Sequence, residues 1–220
     1  MRRRDAVLGL LSFAAGSIDA LSFGAFGVFT SAMSGNTVLL GIAVGQLRLA
    51  DALAPVLAFA GYGFGVALGT FLGAETEADR KCTIFRRPLA AETILLTVFA
   101  TLQLALPLTS STRAAMIVLA ASGMGVQGAT ARNIRAPGIN TVVFTSTLTT
   151  IIGAVASAFT GTTRRRIATE TSLQAAMLAI YFAGAGVSAA LSHFEFRAGV
   201  LPVACAALAA LLSRSAQNWQ

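Results

Sequence analysis

Asp19 lies deep within an apolar run from Ala6 to Phe29, where a charged carboxylate costs about 2.5–3.5 kcal/mol on insertion scales. Something must compensate that cost. Facing a polar cavity, Asp19 would be a proton- or ion-binding site, with protonation as a coupling step. Hydrogen-bonded among its neighbours, it would fix helix packing instead. Downstream, Met33-Ser34-Gly35-Asn36-Thr37 combines a glycine, which lets backbone leave helical geometry, with side chains that can satisfy freed amides or hold a polar ligand. The bland alternative is an ordinary helix start with Ser34 as N-cap. Thr145-Ser146-Thr147-Leu148-Thr149-Thr150 places hydroxyls within two turns, and these can either line a site or bond their own backbone. Gln127 adds one amide inside a glycine-rich stretch. Asp19, Ser34, Asn36, Thr37, Gln127, Thr145 and Thr147 are therefore the candidate ion and solute pathway, with Ser34 to Thr37 facing Thr145 to Thr150 near the midplane.

Other residues exclude other chemistries. His193 is the only histidine, which removes multi-histidine metal sites and disfavours a histidine-based triad. Cys82 and Cys205 form no CxxC, so neither a zinc site nor a disulfide framework is expected. No phosphate-binding loop, dinucleotide fingerprint or HExxH occurs, so no cofactor and no catalytic centre are expected. Glu92 is expected near the cytoplasmic end of its helix, snorkelling toward Arg86 or Arg87.

The elements that must position these groups are membrane helices. The chain is 55% hydrophobic and 11% charged, with mean hydropathy +0.75, which is outside the balance of a soluble domain. The net charge of +7 suggests nucleic acid only superficially, because the arginines sit in short runs between apolar stretches. They read as topology signals contacting anionic headgroups. A signal peptide is not expected, since the first run carries Asp19 and no convincing cleavage site.

Six stretches are long and apolar enough to cross: Ala6 to Phe29, Ala52 to Ala74, Leu89 to Leu108, Ala114 to Ala131, Leu173 to Leu191 and Gly199 to Leu212. Two more, Thr30 to Leu47 and Asn140 to Thr160, are apolar but dense in Ser, Thr, Gly and Asn. If both cross, lysines and arginines divide almost evenly between the two sides. If both enter and return, only Arg48, Arg113 and Arg197 lie outside and the other thirteen of sixteen lie inside. The positive-inside rule therefore favours an all-α transmembrane helix bundle of about six crossings plus two re-entrant or broken segments, with both termini and the loop Glu75 to Arg87 cytoplasmic. The 220 residues form a single membrane domain.

Val28-Phe29-Thr30-Ser31 recurs as Val143-Phe144-Thr145-Ser146, and Phe59-Ala60-Gly61-Tyr62-Gly63 as Phe182-Ala183-Gly184-Ala185-Gly186. On this echo the halves 1–108 and 109–220 would be a 3+3 inverted repeat, an arrangement used by secondary transporters. The glycines at 61, 63, 65 and 69, and Gly123-Met124-Gly125-Val126-Gln127-Gly128, read as helix-packing faces.

Gly16-Ser17-Ile18-Asp19-Ala20-Leu21-Ser22-Phe23, Val28-Phe29-Thr30, Met33-Ser34-Gly35-Asn36-Thr37-Val38-Leu39-Leu40-Gly41, Gly123-Met124-Gly125-Val126-Gln127 and Thr145-Ser146-Thr147-Leu148 resemble the YoaK family of bacterial membrane proteins over most of the chain. Two positions depart from the family pattern. Gly125-Val126-Gln127-Gly128-Ala129 stands where the family has Gly-x-Gln-Asn-Ala, and Thr145-Ser146 where it has Thr-Gly. The resemblance implies a bacterial inner-membrane protein of about six crossings and supplies neither substrate nor reaction. The leading functional expectation, from the polar groups, is a secondary transporter or channel for a small solute. A membrane scaffold or assembly factor binding partner helices is the alternative. Expected partners are the bilayer, a small solute with a proton or cation, and further copies of the chain.

Overall fold

The computed structural model describes residues 3–74, 83–133, 166–193 and 198–213, with isolated positions at 148–149, 152–153 and 156. Among the described residues the regular structure is all helical, with α1 Arg3–Phe26, α2 Met33–Gly45, α3 Leu49–Gly73, α4 Thr83–Ala105, α5 Ser110–Asn133, α6 Arg166–His193 and α7 Val200–Ser213. Five of these, α1, α3, α4, α5 and α6, are long and apolar enough to span a bilayer. The second expected broken segment, Asn140 to Thr160 with Thr145 and Thr147, lies outside the described residues apart from those isolated positions.

Contacts between helices give their directions. Ser12 on α1 meets Met177 and Ser17 meets Gly184, so α1 and α6 run parallel. Gly61 on α3 lies against Val118 and Gly69 against Val126, so α3 and α5 run parallel too. Helix α4 opposes α5, because they form a hairpin with Leu96 beside Gly123. The amide of Gly199, just before α7, bonds Gln103 near the end of α4, and Ala209 clusters with Val7 and Leu11, so α7 opposes α1 and α4. Gln127, late in α5, bonds Leu11, early in α1, whereas Arg113, early in α5, bonds Phe26, at the end of α1. Helices α1, α4 and α6 therefore run one way and α3, α5 and α7 the other.

This alternation has two consequences. Residues 27–48 must leave and return on one side, as expected for a re-entrant segment; α2 spans only 13 residues, about 20 Å. Arg4, Arg86, Arg87 and Arg132 also gather at one face of the bundle, with Arg48 and Arg113 at the other.

The halves pack on each other by one rule applied twice. Gly16 of α1 abuts the Tyr181 carbonyl and the Ala185 amide of α6, while Gly125 of α5 abuts the Tyr62 carbonyl and the Val66 amide of α3. Reciprocally, Gly184 abuts the Phe13 carbonyl and Gly65 the Ser122 carbonyl. Helix α1 thus corresponds to α5 and α3 to α6, in opposite orientations, which is the inverted repeat. The sequence echo of Phe59–Gly63 with Phe182–Gly186 is out of register: the contacts pair Tyr62 with Tyr181 and Gly65 with Gly184.

Helices α1 and α5 are the inner pair, with 72% and 78% of their spans buried against 17% for α6. Ile18, Phe26, Phe99, Ile117 and Met124 form the core between them and α4. Phe64, Phe71 and Phe182 point outward, where lipid rather than water is the natural solvent.

The glycines on α3 separate into two roles. Gly61, Gly65 and Gly69 touch α5, whereas Gly63 faces open space, so Gly63 does not belong to the packing face. A Cβ at Gly65 would meet the backbone of Ser122, which cannot swing aside as a side chain can. Gly65→Leu is expected to destabilise the protein by about 2–3 kcal/mol, while Gly63→Ala should be neutral or stabilising by up to about 1 kcal/mol. Thermal unfolding of both variants in the same detergent compares them directly.

Candidate functional site

The first site begins where α1 ends. Gly27 has φ +72°, a left-handed conformation that closes a helix without a Cβ penalty, and its amide bonds Phe23 at 2.9 Å. The Arg113 guanidinium of α5 donates to the Phe26 carbonyl at 2.7 Å, placing a cation on the negative end of α1. Residues 27–32 then fold back along α1. Thr30 and Ser31 reach Asp19, seven residues before Phe26, so the chain descends about 10 Å toward the membrane interior.

Asp19 is 2% exposed, and five donors converge on it. Oδ1 accepts from the Thr30 amide at 2.7 Å, the Thr30 hydroxyl at 3.1 Å and the Ser31 amide at 2.8 Å. Oδ2 accepts from the Ser31 hydroxyl and from the Tyr181 hydroxyl of α6, the latter at 2.8 Å. No cation among the described residues takes part. Hydrogen bonds to a charged group contribute about 1.5–3 kcal/mol each, so the set exceeds the insertion cost of one carboxylate. The two oxygens differ in kind. Oδ1 holds backbone amides, which can only donate. Oδ2 meets two hydroxyls, which can donate to a carboxylate or accept from a carboxylic acid.

Asn36 holds the other end of the loop. Its Oδ1 accepts the Phe29 amide at 2.9 Å and its Nδ2 donates to the Phe29 carbonyl at 2.6 Å, so one amide side chain satisfies both backbone groups of Phe29. The Phe29 ring stacks on Phe23, centroids 4.6 Å apart, and covers Gly35, where a Cβ would lie 2.8 Å from the ring. Gly35 therefore provides room, not a backbone break; the break precedes it at 27–32. Ala32, not Ser34, precedes the helix.

Of the expected pathway residues, Asp19 and Asn36 converge on one loop. Ser34 and Thr37 are exposed on α2, and Thr37 bonds the Met33 carbonyl. Gln127 lies elsewhere, about two turns along α1 toward the arginine-rich face, donating to Leu11 at 2.9 Å. Glu92 departs most from expectation. It is fully buried rather than snorkelling, and neither carboxyl oxygen is hydrogen-bonded among the described residues.

The loop also walls a cavity of about 450 Å³ at the opposite face from the arginine cluster, lined by Gly27 and Val28, Ile42 of α2, Arg48 and Asp51 at the start of α3, and Arg113 of α5. One segment thus contacts the cavity through residues 27–28 and Asp19 through residues 30–31. The partners that complete the site, Thr30, Ser31 and Tyr181, were not among the expected residues. Thr30-Ser31 was visible in the repeated Val-Phe-Thr-Ser, whereas nothing local marks Tyr181.

Residues 7–213 match the family model DUF1275, described as a protein of unknown function. The chain is 30% identical over 200 residues to the UPF0700 transmembrane protein YoaK of Bacillus subtilis (strain 168), covering 88% of this chain and 85% of that protein. No solved structure matches.

The loop anchors respond to mutation in a defined order. Asn36→Ala leaves the Phe29 amide and carbonyl without partners at about 1–3 kcal/mol each, and Asp19→Leu does the same to the amides of Thr30 and Ser31. Asp19→Asn retains an oxygen for those amides and should cost least. Thermal stability in detergent is expected to fall in the order wild type, Asp19→Asn, then Asn36→Ala and Asp19→Leu.

Proposed function

The chain belongs to the DUF1275 family of membrane proteins, and within it we propose a secondary transporter or channel for a small solute, with Asp19 as its proton or ion site. The observation that carries this reading is the double attachment of Asp19. Its carboxylate ties the re-entrant loop of one half to Tyr181 of the other, and that loop walls the cavity where a solute would enter. Inverted repeats around a buried polar centre, with irregular backbone at membrane depth, suit alternating access.

Protonation supplies a way to move the loop. A proton on Oδ2 would turn the Ser31 and Tyr181 hydroxyls from donors into competitors for a single hydrogen. The charge-assisted bonds would weaken to neutral ones, roughly half as strong. The latch then loosens where the halves meet, and residues 27–28 are free to open or close the cavity. The reading contains no catalytic step. It is favoured over a scaffold role because Gly16, Gly65, Gly125 and Gly184 are already filled by helices of the same chain.

We place the protein in the bacterial inner membrane with its arginine-rich face, both termini and the Glu75 to Arg87 loop in the cytoplasm. In a background lacking Cys82 and Cys205, a cysteine near Arg80 is expected to label only after permeabilisation; labelling from outside intact cells would reverse the orientation. For the coupling role, a solute is first found by its stabilisation of the purified protein, and uptake into proteoliposomes is then followed across a pH series. Asp19→Asn should insert and fold yet lose solute movement or its pH dependence. Wild-type rates and pH dependence in that variant would make Asp19 a purely structural tie.

A further inference from the structure

A second buried carboxylate lies outside the Asp19 site. Glu92 is 0% exposed, and both its oxygens lack hydrogen-bond partners among the described residues. One turn before it, Leu89 clusters with Val7, Leu11 and Ala209; one turn after it, Leu96 packs against Gly123. Glu92 is therefore directed into the junction of α4 with α1, α5 and α7, not toward lipid.

The antiparallel register of α4 and α5 indicates what it faces. With Leu96 opposite Gly123, one turn toward the arginine-rich face brings Glu92 and Gln127 to the same level. Gln127 is 2% exposed and its Nε2 is committed to the Leu11 carbonyl. Its Oε1 is buried without a partner. By this register three acceptor oxygens share one junction with no donor among the described residues, and what the junction lacks is a hydrogen. One proton on Glu92 supplies it, converting an acceptor into a donor that Gln127 Oε1 can receive. Calcium or magnesium would need about six oxygen ligands or more, and no group of three acidic, histidine or cysteine side chains suited to a metal occurs among the described residues.

We propose that Glu92 and Gln127 form a proton-binding site in the bundle core, separate from the Asp19 latch. Glu92 holds the proton, Gln127 accepts its hydrogen bond, and the Leu11 carbonyl orients the Gln127 amide. Ionisable side chains on the surrounding helices include Arg86 and Arg87 of α4, Arg113 and Arg132 of α5, Arg4, Asp5 and Asp19 of α1, Cys205 of α7, and Asp51 and Tyr62 of α3, and none of these hydrogen-bonds Glu92.

The test is infrared difference spectroscopy on the full-length protein in lipid nanodiscs, titrated from mildly acidic to mildly alkaline pH. Wild type is expected to show a neutral carboxylic-acid carbonyl band that disappears in Glu92→Gln, a variant that keeps the size and an N–H donor and should keep the melting temperature. Gln127→Leu should move the band to higher frequency by removing its hydrogen-bond acceptor, and Gln127→Asn, which fits the site more gently, should move it partway. Absence of a band removed by Glu92→Gln would overturn the proposal. So would a band indifferent to both Gln127 variants, or one replaced on adding sodium or potassium. Asp19→Asn should leave the band in place, so its outcome is independent of the uptake experiment.

Discussion

Hydrocarbon offers no hydrogen bonds, so every backbone amide that leaves a helix at membrane depth needs a partner from the protein itself. Residues 27–32 are such backbone, and two side chains satisfy most of it. Asp19 takes the amides of Thr30 and Ser31, and Asn36 takes both backbone groups of Phe29. The need runs both ways, because a carboxylate in the same surroundings requires donors and the loop is where it finds them. Neither the charge nor the irregular backbone would be tolerable alone. The placement of α2, the wall of the cavity and the contact of α1 with Tyr181 all follow from that mutual satisfaction.

The two buried acids show how differently one residue type can be accommodated. Asp19 is surrounded by five donors, two of them fixed amides. Glu92 finds none among the described residues, and neither does the Oε1 of Gln127. The donors around Asp19 suit a carboxylate, whereas the surroundings of Glu92 offer its oxygens no hydrogen bond among the described residues. The two acids lie at different levels of the bundle and connect to different helices.

Much of this organisation was legible in the sequence because lipid restricts the alternatives. The uneven distribution of arginines selected re-entry over eight full crossings, and the directions of the described helices agree with it. Five helices are long enough to span, and α7, at 14 residues, is too short to count among them. Asp19 and Asn36 were conspicuous because a polar side chain in an apolar run requires compensation. The sequence concealed whatever depends on contacts far along the chain. Tyr181 is a tyrosine in an apolar helix until α6 is set beside α1. Glu92, close to Arg86 and Arg87, looked like a snorkelling acid, but the face it occupies is decided by α5 and α7 packing on α4. The echo of Phe59–Gly63 with Phe182–Gly186 misplaced the register because glycines recur too often to fix one; the backbone contacts at Gly16 and Gly125 do so. Gly63 illustrates the same limit, sharing the spacing of a packing face while pointing away from it.

The parallel pairing of α1 with α6, and of α3 with α5, means that neither half buries its own first helix. Each half's inner helix is clasped by a helix of the other. For a chain inserted from its N-terminus, Asp19 enters the membrane long before Tyr181, which follows 162 residues later. At about 5–20 residues per second of synthesis, that delay is on the order of ten to thirty seconds. During this interval the Thr30-Ser31 turn must hold the carboxylate by itself, which it can do because four of the five donors lie within twelve residues of Asp19. The short-range donors thus suffice to cover the carboxylate before α6 is made, and the Tyr181 hydroxyl adds the bond that joins α1 to α6.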